Sequence, residues 1–377
     1  MISRIRKIIL NLTAGANIMT VVLMILVGYS DHLSPEKYPL LGCVGMSFPF
    51  IVLLNLLFVP VWVLFSWRRL LIPVVGFLLA FIPIRTYMPL RVQSEPPEGC
   101  IRIVSYNVCC YGGNYKYEEG FDTVFNYLKR LSPDIVCVQE DITDKTPDYM
   151  ARYATFFRYN DTTCISNSAK VKNCVGIHTN YPILRKEKIP YESPTNGSVA
   201  YFLQIDGDTV IVINNHLESS HLSTDDRTRY QDMLKGSMER DTAQAETILL
   251  MGKLNQGMAV RAGQVDIVHQ YVEAHKQYPL IVCGDFNDTP ISYARHTMAK
   301  GLTDCFVESG RGLGLSFNRK GFNLRIDHMM CSSHFTPYQC EIDDKMDASD
   351  HFPLLCWLKK GKNLKKCAII GWKFSQT

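Results

Sequence analysis

Long stretches of this 377-residue chain carry no charge at all. There is none over residues 8–30, none over 38–67 and none over 70–84. A helix in a soluble core rarely stays uncharged on every face for so long, because one face must meet water. The first two runs exceed the roughly 20 residues a helix needs to cross a bilayer. The third falls short, but extends through "TYMPL" if Arg85 snorkels to the interface. Residues 1–84 are therefore expected to form a membrane anchor of about three transmembrane helices. Two spans plus an interfacial segment is the alternative. A cleaved signal peptide fits worse. Arg4, Arg6 and Lys7 resemble a basic leader, but the apolar stretch is long, no clear small-x-small site follows, and two further apolar runs come next.

Other absences narrow the chemistry. Net charge is only +4, so no global attraction to nucleic acid operates. No Cys-x-x-Cys pair of metal-binding type occurs, and no Ser-His-Asp order or nucleophile elbow, so neither a zinc ribbon nor a serine hydrolase is indicated. Repeats and low-complexity tracts are missing too. With 47% hydrophobic and 20% charged residues, wholesale disorder is excluded.

Loop charges suggest an orientation. Arg4, Arg6 and Lys7 precede the first run, and Arg68 and Arg69 separate the second from the third, whereas "DHLSPEKY" after the first has one Lys against two acids. By the positive-inside rule the N-terminus and second loop are cytoplasmic, and everything after residue 84 lies outside. Cysteine usage pulls the other way. Twelve of 13 Cys lie after residue 99, several within apolar runs ("IVCVQE", "IVCGD", "LLCWL") that suit buried thiols, which are more at home in a reducing compartment.

Residues 85–99, rich in Pro and Gly, read as a linker. From residue 100 strands and helices alternate. "IRIVSYN" and "DIVCVQE" read as strands around the helix "FDTVFNYLKRL". "VAYFLQIDGDTVIVINNHL" reads as a hairpin about Asp206-Gly207. Helix-forming stretches occupy the polar region 224–260, and a separate helix through "AGQVDIVHQYVEAH" leads to strand "PLIVCGD". "NLRIDHMMC" and "FPLLCWL" are late strands. Hairpins mixed with crossovers suggest an α/β fold of stacked mixed sheets covered by helices.

One kind of residue recurs where these apolar strands stop: Asn107, Glu140, Asn214 and His216, Asp285 and Asn287, and Asp327, with "SDH" (Ser349, Asp350, His351) before the last strand. Singly, an Asp or Asn after a strand is usually a turn residue, and a lone His usually satisfies backbone groups. The series is what matters, because strand ends on one edge of a packed sheet converge. Carboxylate and amide oxygens are hard ligands suited to Mg²⁺, Mn²⁺ or Ca²⁺. With histidines nearby for proton transfer, the set reads as metal-assisted hydrolysis of a phosphate ester.

"SYNV", "DIVCVQE", "INNHLES", "GDFND", "RIDH" and "SDHFPL" resemble, in order and spacing, the motifs of the endonuclease/exonuclease/phosphatase superfamily over residues 100–360. The resemblance implies a four-layer α/β sandwich, two mixed β-sheets flanked by helices. It also implies roles. Glu140 is the principal Mg²⁺ ligand (Mn²⁺ possible) with Asn107 beside it. Asp285 activates water, and Asn287 holds the scissile phosphate. His216 donates to phosphate or leaving group, with Asn214 shaping that pocket. His351 is an acid/base or charge stabiliser oriented by Asp327, and Asp350 a second metal ligand or a loop anchor. Asp288 is a supporting group or a turn cap, and His328 structural. His221, Arg227, Arg229 and Arg261 are further candidates for phosphate contact, and "GRGLGLSF" occupies the family's substrate-loop region. With the apolar runs and loop charges above, the expectation is a multi-pass protein of a bacterial inner membrane with a periplasmic catalytic domain. Its substrate is a phosphate ester, nucleic acid or lipid headgroup. The basic tail, residues 361–377, is a solvated segment or a contact for anionic lipid or nucleic acid. The alternative is a non-enzymatic membrane binding or assembly protein retaining the fold; such a protein is expected to have lost Glu140, Asp285 or His351.

Overall fold

The computed structural model describes residues 2–113, 116–144, 146–165, 173–220, 222–319 and 322–361. His221 and residues 362–377, including nearly all of the basic tail, lie outside this set.

Four helices form the N-terminal unit: α1 (Ile2–Gly28), α2 (Phe48–Phe65), α3 (Leu71–Leu79) and α4 (Phe81–Tyr87). Two segments, Arg4–His32 and Leu41–Phe65, are long and apolar enough to cross a membrane, and α3 with α4 makes a third only if a pair bent by 63° counts as one span. The bend has a local cause. Pro83 has no N–H, so the Leu79 carbonyl four residues back loses its helical donor. Tyr29 Oη, just past the end of α1, donates to that carbonyl instead, at 2.9 Å. Leu12, Met19, Phe50 and Leu64 point outward from the bundle. Between the helices, buried polar side chains pair with one another. Trp62 Nε1 donates to Asn17 Oδ1 (2.8 Å), Thr20 Oγ1 to Asn55 Oδ1 (3.0 Å), and Asn55 Nδ2 to the Thr20 carbonyl (3.0 Å). Such bonds join helices where apolar packing alone gives little preference over lipid.

Among the described residues of 101–360 there are fourteen strands. In chain order they are β1 (Ile101–Asn107), β2 (Ile135–Gln139), β3 (Tyr159–Cys164), β4 (Cys174–Thr179), β5 (Ile183–Ile189), β6 (Gly197–Ile205), β7 (Asp208–His216), β8 (Leu280–Asp285), β9 (Thr303–Asp304), β10 (Phe317–Arg319), β11 (Phe322–Leu324), β12 (Asp327–Cys331), β13 (Phe335–Ile342) and β14 (Leu354–Lys360). One six-stranded sheet runs β13-β14-β1-β2-β4-β3 and the other β5-β6-β7-β8-β12-β9; β10 and β11 form a separate hairpin. Both sheets are mixed, with β1–β2 and β7–β8 parallel and the other pairs antiparallel. Side chains alternate between layers as a period of two requires. From β1, Ile101 and Ile103 enter the core between the sheets, while Val104 and Tyr106 face helix α5 (Tyr117–Leu131) and helix α6 (Pro147–Ala154). On the far side, Ile211 and Ile213 of β7 pack with Val265 and Val268. The result is the expected four-layer sandwich.

Two local features differ from the sequence reading. The polar region resolves into a short helix α7 (Thr224–Leu234) and then one continuous helix, α8 (Arg240–Ala274), where two separate pieces were expected. No proline interrupts that stretch, and the buried side of its second half packs on the second sheet. The linker is also shorter than expected. Helix α4 ends at Tyr87, and Arg85 and Arg91 both pair with Glu308 of the catalytic domain (2.6 and 3.0 Å).

Gly284 is a fixed point of the second sheet. Its φ is +132°, and a Cβ there would lie 2.0 Å from the Asn215 carbonyl oxygen of the adjacent strand. Gly284→Ala is therefore expected to cost about 4 kcal/mol or more, the size reserved for overpacking combined with backbone strain. Thermal unfolding of the detergent-solubilised protein checks this, and an unchanged midpoint would contradict it.

Candidate active site

Strand register assembles the site. Across the second sheet, His216 is the partner of Asp285, and Asp285 the partner of Asp327. A one-residue slip of either pair would turn these groups to the other face. Strand β12 runs antiparallel to β8, so Asp327 reaches the shared edge at the start of its strand and not at its end. From the first sheet come Asn107, paired in register with Gln139, and then Glu140 just beyond β2. Glu140 and Asn287 both sit at φ +53°. Asn tolerates this left-handed backbone readily; Glu holds it at a cost of order 1 kcal/mol.

These groups converge. Asn107 Nδ2 donates to Glu140 Oε1 (3.2 Å) and to Asp285 Oδ2 (3.0 Å). His216 Nε2 stands 3.8 Å from the same two oxygens. His351 Nε2 lies 3.6 Å from Asp285 Oδ2, and its Nδ1 pairs with Asp327 Oδ2 at 2.8 Å. The Asn287 backbone N–H donates to Asp285 Oδ1 (2.8 Å). Ser349 Oγ donates to the Asn107 carbonyl (2.7 Å) and accepts from the His351 N–H (3.2 Å), tying the "SDH" turn to β1.

The two histidines are driven apart. Asn173 Nδ2 donates to His216 Nδ1 (2.9 Å), which leaves the ring proton on Nε2, facing the carboxylates. Burial lowers the pKa of His216 and so favours this neutral form. Burial also opposes protonation of His351, but the Asp327 and Asp285 carboxylates outweigh it and raise that group to about 10. Burial pushes Asp285 up to about 6, against the pull of His351 and His216. Burial raises Glu140 as well. The arrangement thus supplies a carboxylate near its switching point, a neutral N–H donor and a held imidazolium, the separation of roles that acid–base chemistry needs.

A divalent cation fits the donor set. Glu140, part-exposed, and Asp285, buried, direct carboxylate oxygens at one point, where Asn107 and His216 are the neighbours described above and, among the described residues, no Lys or Arg is bonded to either. Two acids whose charge is disfavoured by burial, with oxygen donors only partly engaged, suit a hard cation. Asp285, Asp327 and His351 also lie close enough together to be a three-ligand group. That triad is already joined internally by the Asp327–His351 pair.

The cavity over these groups has a volume of about 280 Å³, and Glu140, His216, Asp285, Asn287, Asp350 and His351 line it. Asn214 does not. It is fully buried between the sheets, donates to the carbonyls of Val138 (3.0 Å) and Gly176 (2.9 Å), and accepts from Gln139 Nε2 (2.7 Å). The expectation that it shapes the substrate pocket is corrected: as an amide among backbone carbonyls, it pins one sheet to the other. Asp350 pairs with Arg319 (2.7 Å) and accepts from Ser349 (3.4 Å), so its carboxylate is engaged as a loop anchor's would be. Asp288 has both of its expected roles, capping Thr289 N (3.0 Å) and pairing with Arg261 Nε (3.2 Å), and His328 Nε2 bonds the Asp288 carbonyl (2.9 Å) in a structural contact. Arg227 and Arg261 reach the cavity, whereas Arg229 pairs with Glu246 (2.7 Å). Of the "GRGLGLSF" loop, Phe317 alone contributes to the lining.

Sequence reasoning missed three contributors. Arg319, in the β10–β11 hairpin, faces Asp350, and nothing in "FNRKGF" marks it. Gln139 stood next to Glu140 in the quoted motif and joins Ser105 Oγ (3.2 Å) to Asn214. Met46, from the N-terminal apolar unit, lines the cavity, and no sequence signal connects positions so far apart.

Residues 104–351 match the model of the Endonuclease/Exonuclease/phosphatase family, and residues 6–87 match a domain of unknown function. Among solved structures, the human Nocturnin catalytic domain with bound sulfate is similar at 17% identity and a TM-score of 0.51, covering 72% of this chain and 97% of that one. A Bacteroides thetaiotaomicron mannosyl-6-phosphatase is similar at 15% identity and a TM-score of 0.50 (69% and 99% covered). D. rerio TDP2 complexed with a single-strand DNA product is similar at 16% identity and a TM-score of 0.50 (70% and 100% covered). These three likenesses concern the fold alone. No curated protein sequence matches. The family match extends over well more than half of the sequence and takes in every polar strand-end residue of the site from Asn107 to His351: the chain belongs to the endonuclease/exonuclease/phosphatase family and is a phosphoric ester hydrolase.

Proposed function

We propose that this protein is a membrane-anchored, divalent-metal-dependent phosphoesterase that hydrolyses a phosphodiester or phosphomonoester by in-line attack of water. The observation that carries the reading is the register row His216–Asp285–Asp327 facing Glu140 and Asn107 across the sheet interface. Glu140 and Asn107 would hold the ion, Mg²⁺ or Mn²⁺, which supplies charge neutralisation at a non-bridging phosphate oxygen. For Asn107 this requires the amide turned so that its oxygen, now accepting from Cys109 N, faces the site. We assign Asp350 to anchoring Arg319 instead of the metal.

The residues divide the work. Asp285 accepts a proton from the attacking water, whose oxygen bonds to phosphorus. The ester P–O bond opposite breaks, and the leaving oxygen regains a proton, so that ester and water give an alcohol and a phosphate. The N–H at His216 Nε2 faces the reacting atoms, and Asn287 contacts the scissile phosphate. The His351 imidazolium, steadied by Asp327, offsets charge in the pentacoordinate state.

Asp285 is neutral below its pKa, so lowering pH removes the base; His351 loses its charge only above about 10. The pH profile of kcat/KM is therefore expected to be bell-shaped, falling about tenfold per pH unit below pH 6 and declining again near pH 10. A profile that stays flat from pH 7 to about 5 would reject Asp285 as base. The overall reading is tested by assaying the full-length protein on bis(p-nitrophenyl) phosphate and a single-stranded oligonucleotide, with Mg²⁺, Mn²⁺ or a chelator. Metal-independent turnover would overturn it.

The proposed topology places the N-terminus and second loop in the cytoplasm and the catalytic domain outside, in the periplasm of a bacterium. Arg69 bonds the Leu10 carbonyl and Asn11 at the far end of α1, while the first loop packs on the catalytic domain through the His32–His296 ring contact (4.1 Å). The basic residues are thus at the opposite end of the bundle from that domain, as the positive-inside rule requires. Reporter fusions after residue 99 test the assignment, and a cytoplasmic signal would reverse it.

A further inference from the structure

The catalytic cavity is not walled by the catalytic domain alone. Met46, within the apolar segment Leu41–Phe65, is one of its lining residues. The contact is built in. Cys43 N donates to Asn255 Oδ1 of α8 (3.2 Å). A Cβ on Gly42 would lie 3.3 Å from Met258 Sδ, and one on Gly45 only 2.0 Å from the Ile291 carbonyl oxygen, so the segment lies flat against the domain. Met46 continues into an apolar wall of Leu222, Leu254 and Met258 on one side of the cavity, with Glu140 and Asp285 also lining it. Helix α8 carries that apolar character outward. Ile248, Leu249 and Met251 are exposed, at 65%, 47% and 43%, three to six residues before Leu254, or about 5–9 Å along the axis at 1.5 Å per residue.

From this we infer that the substrate is a membrane lipid bearing a phosphate ester, taken from the leaflet surface beside the anchor. The inference rests on the phosphoesterase reading above and narrows its substrate class. Met46 lies in the 3-10 turn Pro39–Ser47 that leads directly into α2, so the cavity opens where the second apolar helix begins, at the level of the bilayer surface. A lipid phosphate lies at that level, whereas a nucleic acid is bound along an extended basic groove with successive stacking aromatic side chains, and the wall formed by Met46, Leu222, Leu254 and Met258 is aliphatic. Ile248, Leu249 and Met251 lie four to seven residues before Asn255, the α8 residue bonded to the segment that enters α2, and in this inference their exposed side chains meet the same leaflet. The covalent step is unchanged: water adds to the lipid phosphorus, one ester P–O bond breaks, and the leaving oxygen takes a proton.

The test uses the full-length protein reconstituted in phosphatidylcholine vesicles that carry phosphatidic acid, phosphatidylglycerol or sphingomyelin, one at a time. Release of phosphate or headgroup is compared with turnover of bis(p-nitrophenyl) phosphate and a single-stranded oligonucleotide. One vesicle lipid is expected to exceed both soluble substrates in kcat/KM. Met46→Ala, and separately Ile248→Glu with Leu249→Glu, are each expected to lower the lipid-to-soluble ratio by about tenfold or more, the discrimination that apolar contacts of this size provide. The surface pair is included because Met46→Ala alone could disturb the anchor. Turnover of soluble esters with no action on any lipid would overturn this inference and leave the phosphoesterase reading standing. So would a ratio unmoved by both variants. No turnover of anything would overturn both.

Discussion

Asp285→Asn is expected to lower kcat by about 10³–10⁴-fold on any phosphate ester the enzyme accepts, the upper range for loss of a positioned base. The substitution is nearly isosteric and can keep the Asn287 N–H bond at Oδ1, so the loop behind the strand should hold its shape. What disappears is the charge that two histidines and an amide surround. That charge also helps to raise His351. The variant should therefore lose the acid limb near pH 6 and show His351 titrating below its wild-type position. Kinetics across pH and NMR of the imidazole check the two parts separately. Undiminished turnover would remove Asp285 from the mechanism; a collapsed fold, visible by circular dichroism, would mean that the register row tolerates no change there.

The second large effect concerns metal. Glu140→Gln is expected to raise the concentration of Mg²⁺ or Mn²⁺ needed for half-maximal activity by about 100-fold or more, since even residues behind a metal ligand are worth 10–100-fold. Glu140 is part-exposed on the cavity, so the variant should fold. Calorimetric titration of the purified variant with Mn²⁺ gives a readout independent of turnover. Wild-type affinity in Glu140→Gln would move the ion to the Asp285–Asp327–His351 group.

Much of the site could be read from the chain because it is built at strand ends, where local pattern and chemistry coincide. Asn107, Glu140, His216, Asp285, Asp327 and His351 each follow or precede an apolar run, and packing two sheets brings those ends together. Asn214 shows the limit of the same logic. It sits two residues before His216 in one strand, and so on the same face, but it lies deeper, where only backbone carbonyls and Gln139 can meet it. The break between α3 and α4 was hidden as well. Composition marks an apolar run, but the bend depends on Pro83 freeing a carbonyl and on Tyr29, just past α1, donating to it.

The sequence by itself determined the long apolar N-terminal runs and the mixed α/β alternation, because these follow from length and periodicity, while the four-layer sandwich and the roles of the strand-end residues came from the resemblance of its motifs to the family. The tertiary structure decided their states and their surroundings. Burial beside particular partners makes His216 neutral and His351 charged, although both are histidines near acids. Docking of the turn before α2 on α8 sets Met46 in the cavity wall. Both outcomes depend on contacts between residues distant in the chain, whose electrostatic and steric terms exist only once the fold has closed.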